Sequence, residues 1–128
     1  MRTPEWLTLE EVLELHDSVL ELHGGSRGVR DHNVLHSALQ NPQDVAYYEP
    51  GSDLADLAAA YLVSLATGHA FTDGNKRTAL TAMLVFLHLN GHPLRLGGDP
   101  LYRLVLDAAT GALDRAAVAA FIRPHLTP

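Results

Sequence analysis

The chain has 128 residues, no cysteine, 47% hydrophobic and 19% charged residues, and a formal charge of −6. That length holds one domain, residues 1–128, and the missing cysteines exclude disulfides, thiol nucleophiles, thiolate zinc sites and iron–sulfur clusters, which fits a reducing compartment such as the cytoplasm. The acidic balance argues against a sequence-tolerant nucleic-acid binder, and no apolar run near Met1-Arg2-Thr3-Pro4-Glu5 reads as a secretory signal or a membrane span.

Thr8 followed by Glu11 has capping-box spacing, and Leu9, Val12, Leu13, His16, Val19, Leu20 and His23 then recur at helical spacing, which predicts a helix over about 9–23. The first 25 residues hold six acids against one arginine, so nearly all of the net charge sits at this end. A glycine-rich connection, Gly24-Gly25-Ser26-Arg27-Gly28, leads to Asp31 as N-cap of a short helix with Val34, Leu35, Ala38 and Leu39, which Asn41-Pro42 is expected to stop. From Pro42 to Ser52 no period is visible, and the stretch reads as a loop or flap.

Asp53 opens a helix with Leu54, Leu57, Ala58, Tyr61, Leu62 and Leu65, ended by Thr67-Gly68. The next begins near Asp73 or Gly74 and runs through Leu80, Leu84, Val85 and Leu87 to Asn90-Gly91, a left-handed stop. Residues 92–98 read as an extended connection. Asp99 as N-cap and Pro100 at N1 start a fifth helix with Leu101, Leu104, Val105 and Ala108, closed at Gly111. Asp114 caps the last, Leu113 and Val118 form its hydrophobic staple, and Pro124 ends it. The expected fold is all-α, a compact six-helix single domain.

Chemistry concentrates in Thr67 to Leu80, TGHAFTDGNKRTAL, between the two central helices. Gly74, Asn75, Lys76 and Arg77 fall in a first helical turn, where free amides and the positive dipole end favour an anion. Lys76 adds a point charge and Arg77 a two-pronged donor for phosphate oxygens. Asp73 suits a magnesium ion that bridges phosphates, and the His69 imidazole suits a general base for a hydroxyl nucleophile. Taken singly, the same residues also serve as an N-cap, surface charges and a hydrogen-bonded loop histidine. Phe71 reads as an anchor that packs the loop onto the core. A Walker A loop is excluded because GxxxxGK[ST] is absent. The pairs His32/His36 and His88/His92 have ligand spacing without a convincing third ligand.

His69-Ala70-Phe71-Thr72-Asp73-Gly74-Asn75-Lys76-Arg77 resembles the HxFx(D/E)GN(G/K)R signature of the Fic/Doc superfamily, in the lysine form of the Doc (death-on-curing) toxins. Gly24 to Asp31 with Leu35 to Leu39 is similar to that family's GG..G.RD..L..AL segment, and Leu87 to Gly91 to its FL..NG ending. The resemblance implies a helical fold with the motif loop between two central antiparallel helices. It makes His69 the base for a target hydroxyl, Asp73 a metal-binding or orienting carboxylate, and Asn75, Lys76 and Arg77 neighbours of nucleotide phosphates. Members that transfer AMP from ATP carry glycine in place of Lys76 and a second arginine in place of Leu80. The Doc-like form implies a kinase that uses ATP and Mg²⁺ and passes the γ-phosphate to a threonine of elongation factor Tu, which arrests translation. Alternatives are AMP transfer and a degenerate domain that only binds nucleotide or a partner. None of the six glutamates is followed by Gly or Asn, so the (S/T)xxxE(G/N) inhibitory motif is missing. The resemblance then implies control by a small antitoxin that docks a helical segment in trans, and target docking by the Pro42–Ser52 region.

Overall fold

The computed structural model describes residues 3–128, so Met1 and Arg2 of the amino-terminal stretch lie outside it. Six α-helices follow in order: α1 Leu9–His23, α2 His32–Tyr48, α3 Leu54–Gly68, α4 Asn75–Leu89, α5 Asp99–Thr110 and α6 Arg115–Ile122, with a final 3₁₀ turn at Arg123–His125. Helix α3 is the hub, packed against α2, α4, α5 and α6, while α1 lies on α4. Its composition explains the position: Ala55, Leu57, Ala58, Ala59, Ala60, Tyr61, Leu62, Leu65 and Ala66 are all buried. A helix apolar on nearly every side belongs inside, and its alanines let neighbouring helices approach closely.

The local start signals work as their chemistry dictates. Thr8 and Glu11 exchange both capping-box hydrogen bonds at α1, and Asp53 and Asp56 do the same at α3. Asp31 and Asp114 accept the amide protons of Val34 and Ala117. Val118, the inner half of the expected staple, is fully buried. Residues 92–98 carry a single bridge, Leu94 to Leu126.

Two boundaries differ from the sequence expectation. Helix α2 does not stop at Asn41-Pro42 but continues through Pro42 to Tyr48, so most of the expected loop or flap is helical. Proline removes the amide that would bond to the carbonyl four residues earlier. Here that carbonyl, on Ala38, accepts instead from the Ser64 hydroxyl of α3 at 2.9 Å. The Pro42 ring and Val45 are buried, so packing holds the continuation. Helix α5 is capped by Gly98 rather than Asp99, which is the first helical residue. Gly98 has φ 64° and ψ −138°, a conformation effectively reserved for glycine.

Candidate functional site

The loop between α3 and α4 is six residues long, 69–74, which forces the two helices into an antiparallel pair. Gly68 is the last residue of α3; a Cβ there would stand 3.0 Å from Val34 Cγ1, so any larger residue would press on α2. The left-handed cap is His69 itself, at φ 54° and ψ 44°, the sole non-glycine with positive φ among the described residues. That backbone costs an L-residue roughly 1–2 kcal/mol, and surrounding hydrogen bonds must hold it. Arg30 Nε donates to the His69 carbonyl at 2.8 Å. The amides of Arg30 and Asp31 both donate to Ala70 O, at 2.8 and 3.1 Å, and Thr72 N–H donates to Gly28 O at 3.1 Å. The 24–31 connection is therefore a strap across the motif loop, with Val29 bridged to Phe71. The His69 residue remains exposed.

Phe71 is the anchor that the sequence suggests, 1% exposed. Its ring stacks on the His16 imidazole at 3.8 Å between centroids and 10° between planes. Asn75 reaches back from α4 and pairs with the Phe71 backbone in both directions. Its side chain is thus a clasp within the loop, although the resemblance places it beside phosphates.

Asp73 is exposed and is not the N-cap of α4. One carboxylate oxygen, Oδ2, accepts from Ser26 N–H at 3.0 Å, and the backbone carbonyl accepts from His16 Nε2 at 2.8 Å. The cap is Gly74, at φ 77°, where a Cβ would also press to 3.3 Å from Leu20 Cδ2. The positive φ favours glycine, and a side chain would also need Leu20 to shift slightly. Lys76 and Arg77 follow in the first turn, exposed and without an ion-pair partner among the described residues.

A cavity of about 630 Å³ opens against this turn, lined on α4 by Gly74, Asn75, Lys76, Arg77 and Leu80. Its far wall is α5, where Leu101, Tyr102, Val105 and Leu106 present an apolar surface. The cavity has a cationic end and a greasy side, the profile of a site for a phosphate-bearing organic ligand. The four residues expected to hold phosphate all reach it, whereas His69 and Asp73 stand on the loop outside its lining. Sequence alone marks neither the α5 wall nor His16 as part of the site. Tyr102, 55% exposed beside an apolar stripe, is the signal that marks α5.

Among the described residues, one Asp73 carboxylate oxygen has no protein partner, which suits Mg²⁺, an ion commonly held by one carboxylate plus substrate phosphates. Among the described residues no three His, Asp or Glu side chains gather into an all-protein metal cage.

Fold and site together define a helical domain that gathers a histidine, a carboxylate and a cationic helix start at one interhelical turn. The chain belongs to the Fic/DOC family, whose model matches residues 6–87. It is 38% identical to the protein kinase Doc of Escherichia phage P1 over 114 residues, 89% of this chain and 90% of that protein. It is also 40% identical to the toxin Doc of Mycolicibacterium smegmatis over 119 residues, 91% of this chain and 89% of that one. No helix among the described residues is long and apolar enough to cross a membrane.

Proposed function

We propose that the chain is a Doc-type toxin, a protein kinase that moves the γ-phosphate of ATP to a serine or threonine hydroxyl of a translation factor, with elongation factor Tu as the first target to test. Lys76 carries this reading: it stands in the first turn of α4 and lines the cavity, where AMP-transferring members of the family have glycine. Leu80, one turn on, lines the same cavity and offers no second cation for a terminal phosphate in the AMP-transferring pose. The printed names of the two relatives, a protein kinase and a toxin, support the same class.

His69 would accept the proton of the acceptor hydroxyl as its oxygen bonds to the γ-phosphorus and the bond to ADP breaks. Lys76, Arg77 and the amides at the start of α4 would hold the phosphates, and Gly74 leaves room for their approach. Mg²⁺, when bound at Asp73, would supply charge neutralisation for the transferring group. Control would come from a small antitoxin whose helical segment covers a groove of the toxin in the cytoplasm. The test is incubation with Mg²⁺, candidate translation factors and ATP labelled at either the γ or the α position. Label from the γ position in protein is expected; label entering only from the α position would replace the reading with AMP transfer. Nucleotide binding without any transfer would leave a binding domain.

A further inference from the structure

The geometry points to His16, on the opposite helix from the motif, as a positioning residue for the Asp73–Gly74 peptide. His16 is 3% exposed, in the middle of α1, and lies 57 positions from its partner. Two contacts and one close approach tie it to the site. Its Nε2 meets the Asp73 carbonyl at 2.8 Å, its ring lies flat on Phe71, and its Cδ2 is 3.7 Å from where a Cβ of Gly74 would be. A carbonyl oxygen only accepts, so Nε2 carries the proton in this bond.

The consequence follows from peptide planarity. In a trans peptide the C=O and the next N–H point in opposite directions, so holding the Asp73 carbonyl toward α1 turns the Gly74 N–H away from α1. The same plane sets the direction from which the Asp73 side chain leaves the backbone, and Ser26 then fixes its Oδ2. Gly74 has the broadest conformational freedom of any residue type, so this plane is the least self-determined point of the loop. The His16 bond removes that freedom just before the first amides of the cradle. The assignment of the cradle to nucleotide phosphates rests on the kinase reading; the positioning of the peptide does not.

His16→Phe keeps a flat ring against Phe71 and deletes the donor, while His16→Gln returns an amide donor at a similar reach. In the full-length chain, His16→Phe is expected to lower the MgATP affinity measured by calorimetry about tenfold, the order that one lost hydrogen bond supports. The KM for MgATP should rise with it more than kcat falls, and His16→Gln should recover most of the loss. Amide exchange at Ser26, whose N–H bonds to Asp73, should speed up in His16→Phe while the buried α3 amides stay as in wild type. A His16→Phe protein with wild-type affinity and exchange would overturn the proposal. So would a loss that tracks global unfolding and is not recovered by glutamine. Should both variants fail to fold, NMR of wild type still decides: a slowly exchanging proton on His16 Nε2 is expected, and a ring with its proton on Nδ1 and none on Nε2 would sink the arrangement. A wild type that binds MgATP but labels no protein would refute the kinase reading alone, since affinity, exchange and ring-proton readouts do not depend on transfer.

Discussion

Asn75 and Phe71 close a two-way hydrogen-bonded ring: Phe71 N–H donates to Asn75 Oδ1 at 3.0 Å, and Asn75 Nδ2 donates to the Phe71 carbonyl at 2.9 Å. The clasp spans the segment that carries Thr72, Asp73 and Gly74, so it sets the loop's shape between a buried ring and the first turn of α4. Only an amide side chain both gives and takes in this way. Asn75→Asp should therefore lose stability by about 1–3 kcal/mol, because an acceptor then faces the Phe71 carbonyl. Urea denaturation with an unchanged slope would check it, and a variant as stable as wild type would show that the clasp contributes nothing.

His69 combines a left-handed backbone with an exposed imidazole. His69→Asn keeps a residue type that tolerates this backbone and removes the base. Transfer is expected to fall by about 100-fold or more, in the range for general-base loss, with the melting temperature almost unchanged. Full activity in the labelled-ATP assay would remove His69 from the mechanism.

Ser64 and Pro42 act as a pair. Ser64→Ala leaves the Ala38 carbonyl without its partner in a half-buried setting and should cost about 1–2 kcal/mol. Pro42→Ala restores the missing amide, so the double variant should recover much of that loss. A double-mutant cycle measures the coupling, and strict additivity of the two changes would contradict the account.

Arg123 grips both oxygens of Asp53, at 2.7 and 3.2 Å, and also reaches Asp56 at 3.2 Å. The hydrogen bond from Arg123 is the largest influence holding the Asp53 carboxyl down at about 2, against an ordinary 3.8. A carboxyl that is more acidic in the folded state stabilises fully above pH 3.8, and the contribution fades as pH falls through about 2. Both partners are substantially exposed, so Arg123→Ala should cost no more than about 1 kcal/mol at neutral pH. The gap between variant and wild type should close near pH 2 in melts run across that range; a gap that is constant with pH would rule out the ion pair as its source.

The parts of this fold that the sequence made legible are those whose partners are near in the chain. Thr8 with Glu11, Asp31 with Val34 and Asp114 with Ala117 are contacts three residues apart, and these three helix starts fall where the caps suggest. The motif from His69 to Arg77 was legible for the same reason, as one contiguous run. Helix α2 was misjudged because the group that rescues it, Ser64, belongs to another helix. His16 looked like one more residue on a core-facing stripe, since its partners Phe71 and Asp73 lie in a distant loop. The α5 wall was legible as a helix, but which of its apolar residues line a cavity depends on how α5 leans on α4.

The six-residue link between α3 and α4 also has an electrical meaning. It joins the carbonyl-rich, negative end of one helix to the amide-rich, positive end of the next. His69 sits at the first pole and Gly74 at the second. In the proposed transfer, a proton on the imidazole and a phosphate at the start of α4 would each meet the helix end that attracts them. The backbone would thus separate the two charges of that reaction along a single short loop before any side chain contributes.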